Sequence, residues 1–187
     1  MSPLDPGPYY DGFRRSAFRL ETRQSYAVDA EDASLAAFRA GTARPERSVR
    51  TSPWLARIAT DTVSGKDWSR VRLVERPLTE YTRWELLSYV ESQAAGERIL
   101  LAAAGAVPGA GGDFWLFDAD TAEPSGFRTH YDAGGRVAVR EPVDDPDELR
   151  MLRRTRDRAV AAAVPLNEFL AREDEVTRPR GRREPDP

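Results

Sequence analysis

Hydrophobic and polar positions alternate in several short segments of this 187-residue chain and recur at helical spacing in others. Alternation with a period of two predicts a strand, and a period of 3.6 predicts an amphipathic helix. The predicted strands are 17–22, 68–75, 97–102, 113–118, 127–131 and 136–140. The predicted helices are 29–40, 53–63, 78–92 and 144–164. This order predicts an α+β fold: an antiparallel or mixed sheet of about five to six strands, with helices packed mainly on one face.

Composition divides the chain into three regions. Residues 1–13 are rich in proline and glycine and are predicted to be an irregular N-terminal arm. Residues 14–172 carry the periodic segments and form a single α+β domain. Residues 173–187 are charged and rich in arginine and proline, which predicts a disordered tail. Because the net charge is −3, nucleic-acid binding is expected only weakly, through this tail.

Residue content excludes several kinds of chemistry. Without cysteine the chain has no disulfides or thiolate metal sites, and His130 is its only histidine. We therefore predict no metal site. The chain contains neither a dinucleotide-binding nor a phosphate-binding glycine motif, so no cofactor is expected. No membrane span or secretory signal is visible, which predicts a cytoplasmic protein. Of the 28 basic residues, Lys66 is the one lysine, so the chain is rich in arginine.

The helix over 78–92 places a carboxylate among aromatic side chains. On a helical wheel, Tyr81, Trp84 and Tyr89 share one broad face, and Glu85 lies near its middle. A buried carboxylate requires a cationic or hydrogen-bonding partner, or it stays protonated. Three interpretations remain: Glu85 is a member of a structural ion pair, a site residue in a cleft, or exposed because another face is buried.

Several other charged positions are candidates for a site. Arg156 lies within the apolar stripe of the last helix, so it is either paired internally or directed at an acidic ligand. We hypothesise that it shares a buried polar network with Glu85. Arg70 and Arg72 project from one side of a strand, where they either grip a small anionic ligand or form a solvated face. Glu97 follows Gly96 and is able to join either site.

Four segments together resemble a known family. They are 16–21, 70–85, 96–99 and the aromatic segment Asp113-Phe-Trp-Leu-Phe-Asp118. With them the chain resembles an actinobacterial family classified as a domain of unknown function. The resemblance implies a gene neighbourhood with helix-turn-helix regulators and small acidic proteins, and hence a regulatory role with such a regulator or another protein as partner. It supplies no catalytic residues.

Two function hypotheses follow from these residues. The first is a non-enzymatic regulatory or accessory module that binds a protein partner or a small charged ligand in a cleft beside the 78–92 helix. The expected lining is Arg70, Arg72, Tyr81, Trp84, Glu85 and Trp115. The alternative is an enzyme that acts on a small charged metabolite in a specialised biosynthetic pathway. In that case Glu85 is the catalytic acid or base and arginines hold the substrate.

Overall fold

The computed structural model of the chain describes residues 4–173. Within this range the backbone forms seven strands and six α-helices. The strands are β1 (Ser16–Glu21), β2 (Asp67–Val74), β3 (Arg98–Ala103), β4 (Asp113–Phe117), β5 (Ser125–Tyr131), β6 (Val137–Val143) and β7 (Val164–Pro165). The helices are α1 (Gly7–Gly12), α2 (Asp32–Ala40), α3 (Pro53–Val63), α4 (Glu80–Ala94), α5 (Pro146–Ala162) and α6 (Leu166–Arg172).

All seven strands join one mixed sheet in the order β6-β5-β4-β1-β2-β3-β7. The central strands β1, β2 and β3 are parallel, and the neighbouring strands pair with them and with one another in antiparallel orientation. The predicted α+β class and mixed sheet are confirmed. The structure has one strand more than the predicted five to six. The additional strand, β7, has only two residues, which pair with Leu100 and Leu101. A segment this short has no periodicity to detect.

Helix starts follow local side-chain chemistry. Ser52 accepts a hydrogen bond from the Leu55 amide at the start of α3, and Thr79 accepts one from the Thr82 amide at the start of α4. Asp145 accepts from two amides at the start of α5. Each of these side chains satisfies backbone donors that have no partner within the helix.

The two faces of the sheet are covered by different helices and different groups of side chains. Val71 and Leu73 on β2 point to one face, where they join a hydrophobic core with Leu152 and Ala159 of α5. Residues at the alternate positions of β2 point to the other face. There Trp68 packs with residues of α3. The side chains of α4 and α6 pack on this second face as well, against Val74 and the inward residues of β3.

The prediction of an irregular N-terminal arm is wrong for residues 7–12, which form the short helix α1. Aromatic packing holds α1 in place: the Tyr10 ring lies edge-on at 5.2 Å from both Trp54 and Trp115. This anchoring depends on residues more than 40 positions away, so local composition does not reveal it.

The predicted C-terminal tail falls almost wholly on residues 174–187, which lie outside the described part of the chain. At its first position, Glu173 is buried and forms an ion pair with Arg76. In the described range, no helix has both the length and the apolar character needed to cross a bilayer.

Candidate functional site

A cleft of about 570 Å³ opens between α4, the sheet and the connection from β1 to α3. Its floor is formed by charged residues of β1 and β2, and one wall is the aromatic face of α4. The residues that line it and enter the argument below are Arg19, Glu21, Tyr26, Ala30, Glu31, Ser34, Glu46, Arg47, Arg70, Tyr81, Trp84, Glu85 and Tyr89.

The register of β1 and β2 assembles the floor. These strands are parallel, with Arg19 opposite Arg70 and Glu21 opposite Arg72. Since residues two apart on a strand point to the same face, the four charged side chains form a block on the α4 side of the sheet. The positions between these charges, Leu20 and Val71, are apolar and join the core that α5 covers. The same alternation that fills one core therefore builds a charged surface beneath α4.

Arg70 is the centre of this block. Its guanidinium donates to both carboxylate oxygens of Glu97, at 2.6 and 3.1 Å, and to Glu21 at 3.1 Å. Glu21 also accepts a hydrogen bond from the Tyr89 hydroxyl at 2.5 Å and pairs with Arg19 at 3.0 Å. Charge-assisted hydrogen bonds of this kind are the stronger ones in proteins. The floor is therefore held in one arrangement by several buried bonds.

Arg72 and Glu85 form a second, less well satisfied pair. Nη2 of Arg72 lies 2.9 Å from Oε2 of Glu85, and the Arg72 side chain is 0% exposed. The approach lies outside hydrogen-bond geometry, so within residues 4–173 neither Oε2 nor any Arg72 guanidinium nitrogen makes a hydrogen bond. The guanidinium instead stacks at 4.8 Å over the ring of Tyr26. Attraction between opposite charges and this ring contact stabilise Arg72 in place of hydrogen bonds.

Two of the carboxyl groups of this site, Glu85 and Glu21, have opposite pKa shifts. Burial raises the pKa of Glu85 to about 7, because the attraction of Arg72 is offset by repulsion from Glu21. Burial also acts to raise the pKa of Glu21, but Arg19 and Arg70 outweigh it and hold the pKa at about 2. Two acidic groups whose environments separate their pKa values are able to take different roles in one site.

The wall of the cleft comes from the aromatic face of α4. Tyr81 and Trp84 are buried, with their ring centroids 5.2 Å apart. The Tyr81 hydroxyl donates to Glu31 at 2.8 Å, and the Trp84 indole donates to Ser34 at 3.1 Å. These bonds tie α4 to the segment that covers the cleft.

Four of the residues predicted for a site line the cleft: Arg70, Tyr81, Trp84 and Glu85. The inward orientation of Glu85 on the aromatic face of α4 is confirmed, since its side chain is only 7% exposed. The other predicted residues lie elsewhere.

Two of them are in the buried layer around the floor: Arg72 pairs with Glu85, and Glu97 pairs with Arg70. Trp115 lies in the aromatic cluster with Trp68, and the Arg19 guanidinium stacks 5.4 Å from its ring. These three residues support the residues of the cleft without lining it.

The predicted network of Glu85 and Arg156 is wrong. Arg156 donates to Asp120, in the connection from β4 to β5, and to its neighbour Asp157 on α5. Since α5 packs on the face of the sheet opposite to α4, no contact between Arg156 and Glu85 is formed. The helical wheel of α5 locates Arg156 within an apolar stripe, but it does not tell which face of the sheet that stripe covers.

Sequence reasoning missed Arg19, Glu21, Glu31 and Arg47 as cleft residues. A signal existed for the first two: β1 carries charged residues at alternate positions, as β2 does with Arg70 and Arg72. Two such strands side by side would bury their charges against each other. Glu31 and Arg47 lie in connecting segments, whose path over the sheet has no periodic signature.

A second hollow, of about 720 Å³, lies beside Phe13 and Asp118. The Asp118 carboxylate accepts from the backbone amides of Arg14, Arg15 and Ser16 at 2.7–3.0 Å. This carboxylate joins the end of β4 to the start of β1. Its acceptor capacity is used by the fold, so this hollow is a weaker candidate than the cleft beside α4.

The cleft residues are able to transfer protons and to form ion pairs with a ligand. A carboxyl group with a pKa near 7 is able to gain or lose a proton at neutral pH. Between residues 4 and 173, no group of three or more histidine, aspartate or glutamate side chains is arranged to hold a metal ion.

Comparison with known proteins places the cleft within a recognised domain. Searches of curated proteins and of solved structures gave no significant match. A family model described as a domain of unknown function, DUF6879, matches residues 6–171. The matched range contains all seven strands, the helix α4 and every residue of the charged floor. Because the match covers most of the chain, the protein belongs to the DUF6879 family.

Proposed function

We propose that this protein is a non-enzymatic cytoplasmic module that binds a small charged ligand in the cleft beside α4 and serves a regulatory or accessory role. The observation that supports this proposal is the buried charged floor of the cleft. Small-molecule sites in proteins have volumes of roughly 300–1,000 Å³, with a few polar groups fixed among apolar and aromatic walls. The cleft volume of about 570 Å³ and its lining fit that description.

The cost of the floor also supports a binding role. Burial of ionised groups is unfavourable, and replacement of a buried ion pair by apolar residues is often neutral or stabilising. Glu21 and Glu97 are each 1% exposed and Arg70 is 6% exposed. If its only role were to stabilise the fold, such a floor would be less favourable than apolar residues of the same size. As a preorganised charged surface it fixes the orientation of a ligand without further rearrangement.

The exposed apolar residues favour a small ligand over a protein as the direct occupant. A protein-docking site would present a contiguous apolar patch of several hundred Å². In the described chain the large exposed apolar side chains are spread over separate elements: Val28 and Val49 in the connection from β1 to α3, Val63 on α3, Val90 on α4, Met151 on α5, and Val137 and Val139 on β6. We propose that a protein partner, such as a helix-turn-helix regulator, responds to the ligand-bound state.

A second candidate function is an enzyme that acts on a small charged metabolite. The observation that favours it is Glu85, a cleft carboxyl group whose pKa burial raises to about 7. A perturbed acid in a cleft is a common feature of catalytic sites. In this candidate Glu85 transfers the proton and the cleft arginines orient the substrate.

Metabolite retention tests the binding proposal. The protein is incubated with a small-molecule extract of its source organism and desalted, and the retained compounds are identified by mass spectrometry. Ala30 is exposed at the rim of the cleft, so Ala30→Trp should fill the cleft without disturbing the core. Ala161→Trp, at an exposed position on α5, is the matched control. We expect retention by the unsubstituted protein and the control, and loss in Ala30→Trp.

The two candidate functions differ in the fate of the compound. A trace amount of protein is added to the same extract, and metabolite signals are followed by NMR over time. A binding module leaves every signal unchanged. Catalytic consumption of a metabolite by the unsubstituted protein, and not by Glu85→Gln, would replace the binding proposal with the enzyme. Equal retention by all variants, or by none, would refute a ligand in this cleft.

A further inference from the structure

The arginines that line the cleft are already neutralised by carboxylates of the protein. Arg19 pairs with Glu21, and Arg70 pairs with Glu21 and Glu97. Arg47 pairs with Glu91 and also donates to the backbone and side chain of α4. An anionic ligand would have to displace these partners. The sequence-based expectation of a small anion, drawn from Arg70 and Arg72, is therefore not favoured by their geometry.

The acidic residues of the cleft have less complete partners. Glu31 accepts a hydrogen bond from the neutral Tyr81 hydroxyl, and Glu46 accepts one from the neutral Ser48 hydroxyl. Glu85 pairs with Arg72 at 2.9 Å, although its Oε2 accepts no hydrogen bond among the described residues. In the same part of the chain, Glu31 and Glu46 have no cationic partner within 4.0 Å. A neutral donor stabilises a carboxylate but does not cancel its charge. The uncompensated charge of the cleft is therefore negative.

The aromatic wall adds a second feature that suits a cation. Trp84 and Tyr81 line the cleft together with Glu85 and Glu31, and the two rings are tilted at 56° to each other. The faces of tryptophan and tyrosine rings attract cations, and such rings recognise quaternary ammonium groups in many proteins. The neighbouring Tyr26 already takes part in this interaction, with the guanidinium of Arg72 at 4.8 Å from its ring.

On the basis of the binding function proposed above, we infer that the ligand of this cleft is a small organic cation, either an amine or a quaternary ammonium compound. Its charged nitrogen lies among Glu31, Glu85 and the rings of Tyr81 and Trp84. The nitrogen provides the positive charge that Glu31 lacks, and an amine in addition provides hydrogen-bond donors. The remainder of the ligand occupies the space under the segment from β1 to α3.

Affinity for such a cation depends on the ionisation of Glu85. The charged and titratable groups around this carboxyl are Arg70 and Arg72 of β2, Glu21 of β1, Glu31 before α2, and Tyr81 and Tyr89 of α4. Burial raises the pKa of Glu85 to about 7, so its ionised fraction grows roughly tenfold from near pH 6 to near pH 8. A bound cation favours the ionised form, so binding is expected to strengthen over this range.

Calorimetric titration at low salt tests the inference with defined probes. Choline and putrescine are the cationic probes, and succinate and inorganic phosphate are the anionic ones. Choline carries a permanent charge, so any pH dependence of its binding arises in the protein. We expect at least one cation to bind, roughly tenfold more tightly near pH 8 than near pH 6, and neither anion to bind.

Substitutions locate the site. Glu31→Gln should weaken cation binding roughly tenfold, the loss of one charge-assisted contact, and Glu85→Gln should abolish the pH dependence. Glu141→Gln, an exposed position on β6, is the control and should leave binding unchanged.

Binding of an anion without either cation would overturn this inference and leave the proposed function intact. Failure of both cations to bind would also overturn the inference, as would a retained metabolite that is an anion or is neutral. A separate result refutes the proposed function itself: the unsubstituted protein retains no metabolite, or Ala30→Trp retains the same metabolite equally.

Discussion

Substitution of Glu85 by glutamine is expected to stabilise the protein near neutral pH, although it removes one member of a buried ion pair. Glutamine has the shape of a protonated glutamate and carries no charge. Glu85 is 6% exposed and lies 2.9 Å from Arg72, without hydrogen-bond geometry between them. The substitution therefore compares two contributions to the free energy of unfolding: the unfavourable desolvation of this carboxylate and its favourable attraction to Arg72.

The magnitude follows from the pKa of Glu85. Burial raises this pKa from 4.5 to about 7, and at about 1.4 kcal/mol per pH unit the shift corresponds to about 3 kcal/mol. Between these pH values the folded protein binds more protons than the unfolded chain. The free energy of unfolding therefore falls as the pH rises from about 4.5 to about 7. Glutamine does not ionise, so the free energy of unfolding of Glu85→Gln does not fall in this way. It should equal that of the unsubstituted protein near pH 4.5 and exceed it by up to about 3 kcal/mol near pH 8.

Urea denaturation followed by circular dichroism, at a series of pH values, measures the effect. The pKa of Glu21 is shifted in the opposite direction: Arg19 and Arg70 overcome the effect of burial and hold it at about 2. The contribution of Glu21 to the free energy of unfolding is therefore lost as the pH falls from about 4.5 towards 2. That contribution is present in both proteins. The difference between them at each pH isolates Glu85, and the exposed Glu141→Gln provides the control.

A destabilised glutamine variant would refute this reasoning. If Glu85→Gln loses about 3–5 kcal/mol near pH 8, the usual cost of breaking a buried pair, the attraction of Arg72 exceeds the desolvation of Glu85. Identical pH dependence in the two proteins would show that the pKa of Glu85 is not raised.

Three further substitutions test the framework around the site by thermal and urea denaturation. Asp118→Ala removes the acceptor of three backbone amides and leaves alanine at φ 51°, so a loss of about 2–4 kcal/mol is expected; a loss below about 1 kcal/mol would contradict this role. Gly126→Ala brings a Cβ to 2.7 Å from the Trp115 carbonyl oxygen within the sheet and should cost at least about 2 kcal/mol. The control Gly105→Ala, with open space around it, should change little. Arg156→Ala removes partly exposed ion pairs and should cost about 1 kcal/mol or less; a loss of about 3 kcal/mol would restore a buried role for this residue.

Local sequence determined much of the secondary structure. The six longer strands and the caps Ser52 and Thr79 follow from periodicity and side-chain hydrogen bonding, which act over a few residues. The inward orientation of Glu85 follows in the same way, because the 3.6-residue period of α4 locates it on the aromatic face. These properties depend on neighbours within one element, so the sequence alone is sufficient to predict them.

Only the tertiary structure decided which charges meet. Periodicity indicates that Arg156 lies by an apolar stripe, but not that α5 covers the opposite face of the sheet from α4. Likewise, alternation shows that Arg19 and Arg70 each lie on a charged face of a strand, and the parallel register of β1 and β2 makes them neighbours. Strand order and helix placement arise from burial summed over the whole chain, a quantity that no local period records. Arg72 as the partner of Glu85, and the cleft above them, are for this reason properties of the folded chain.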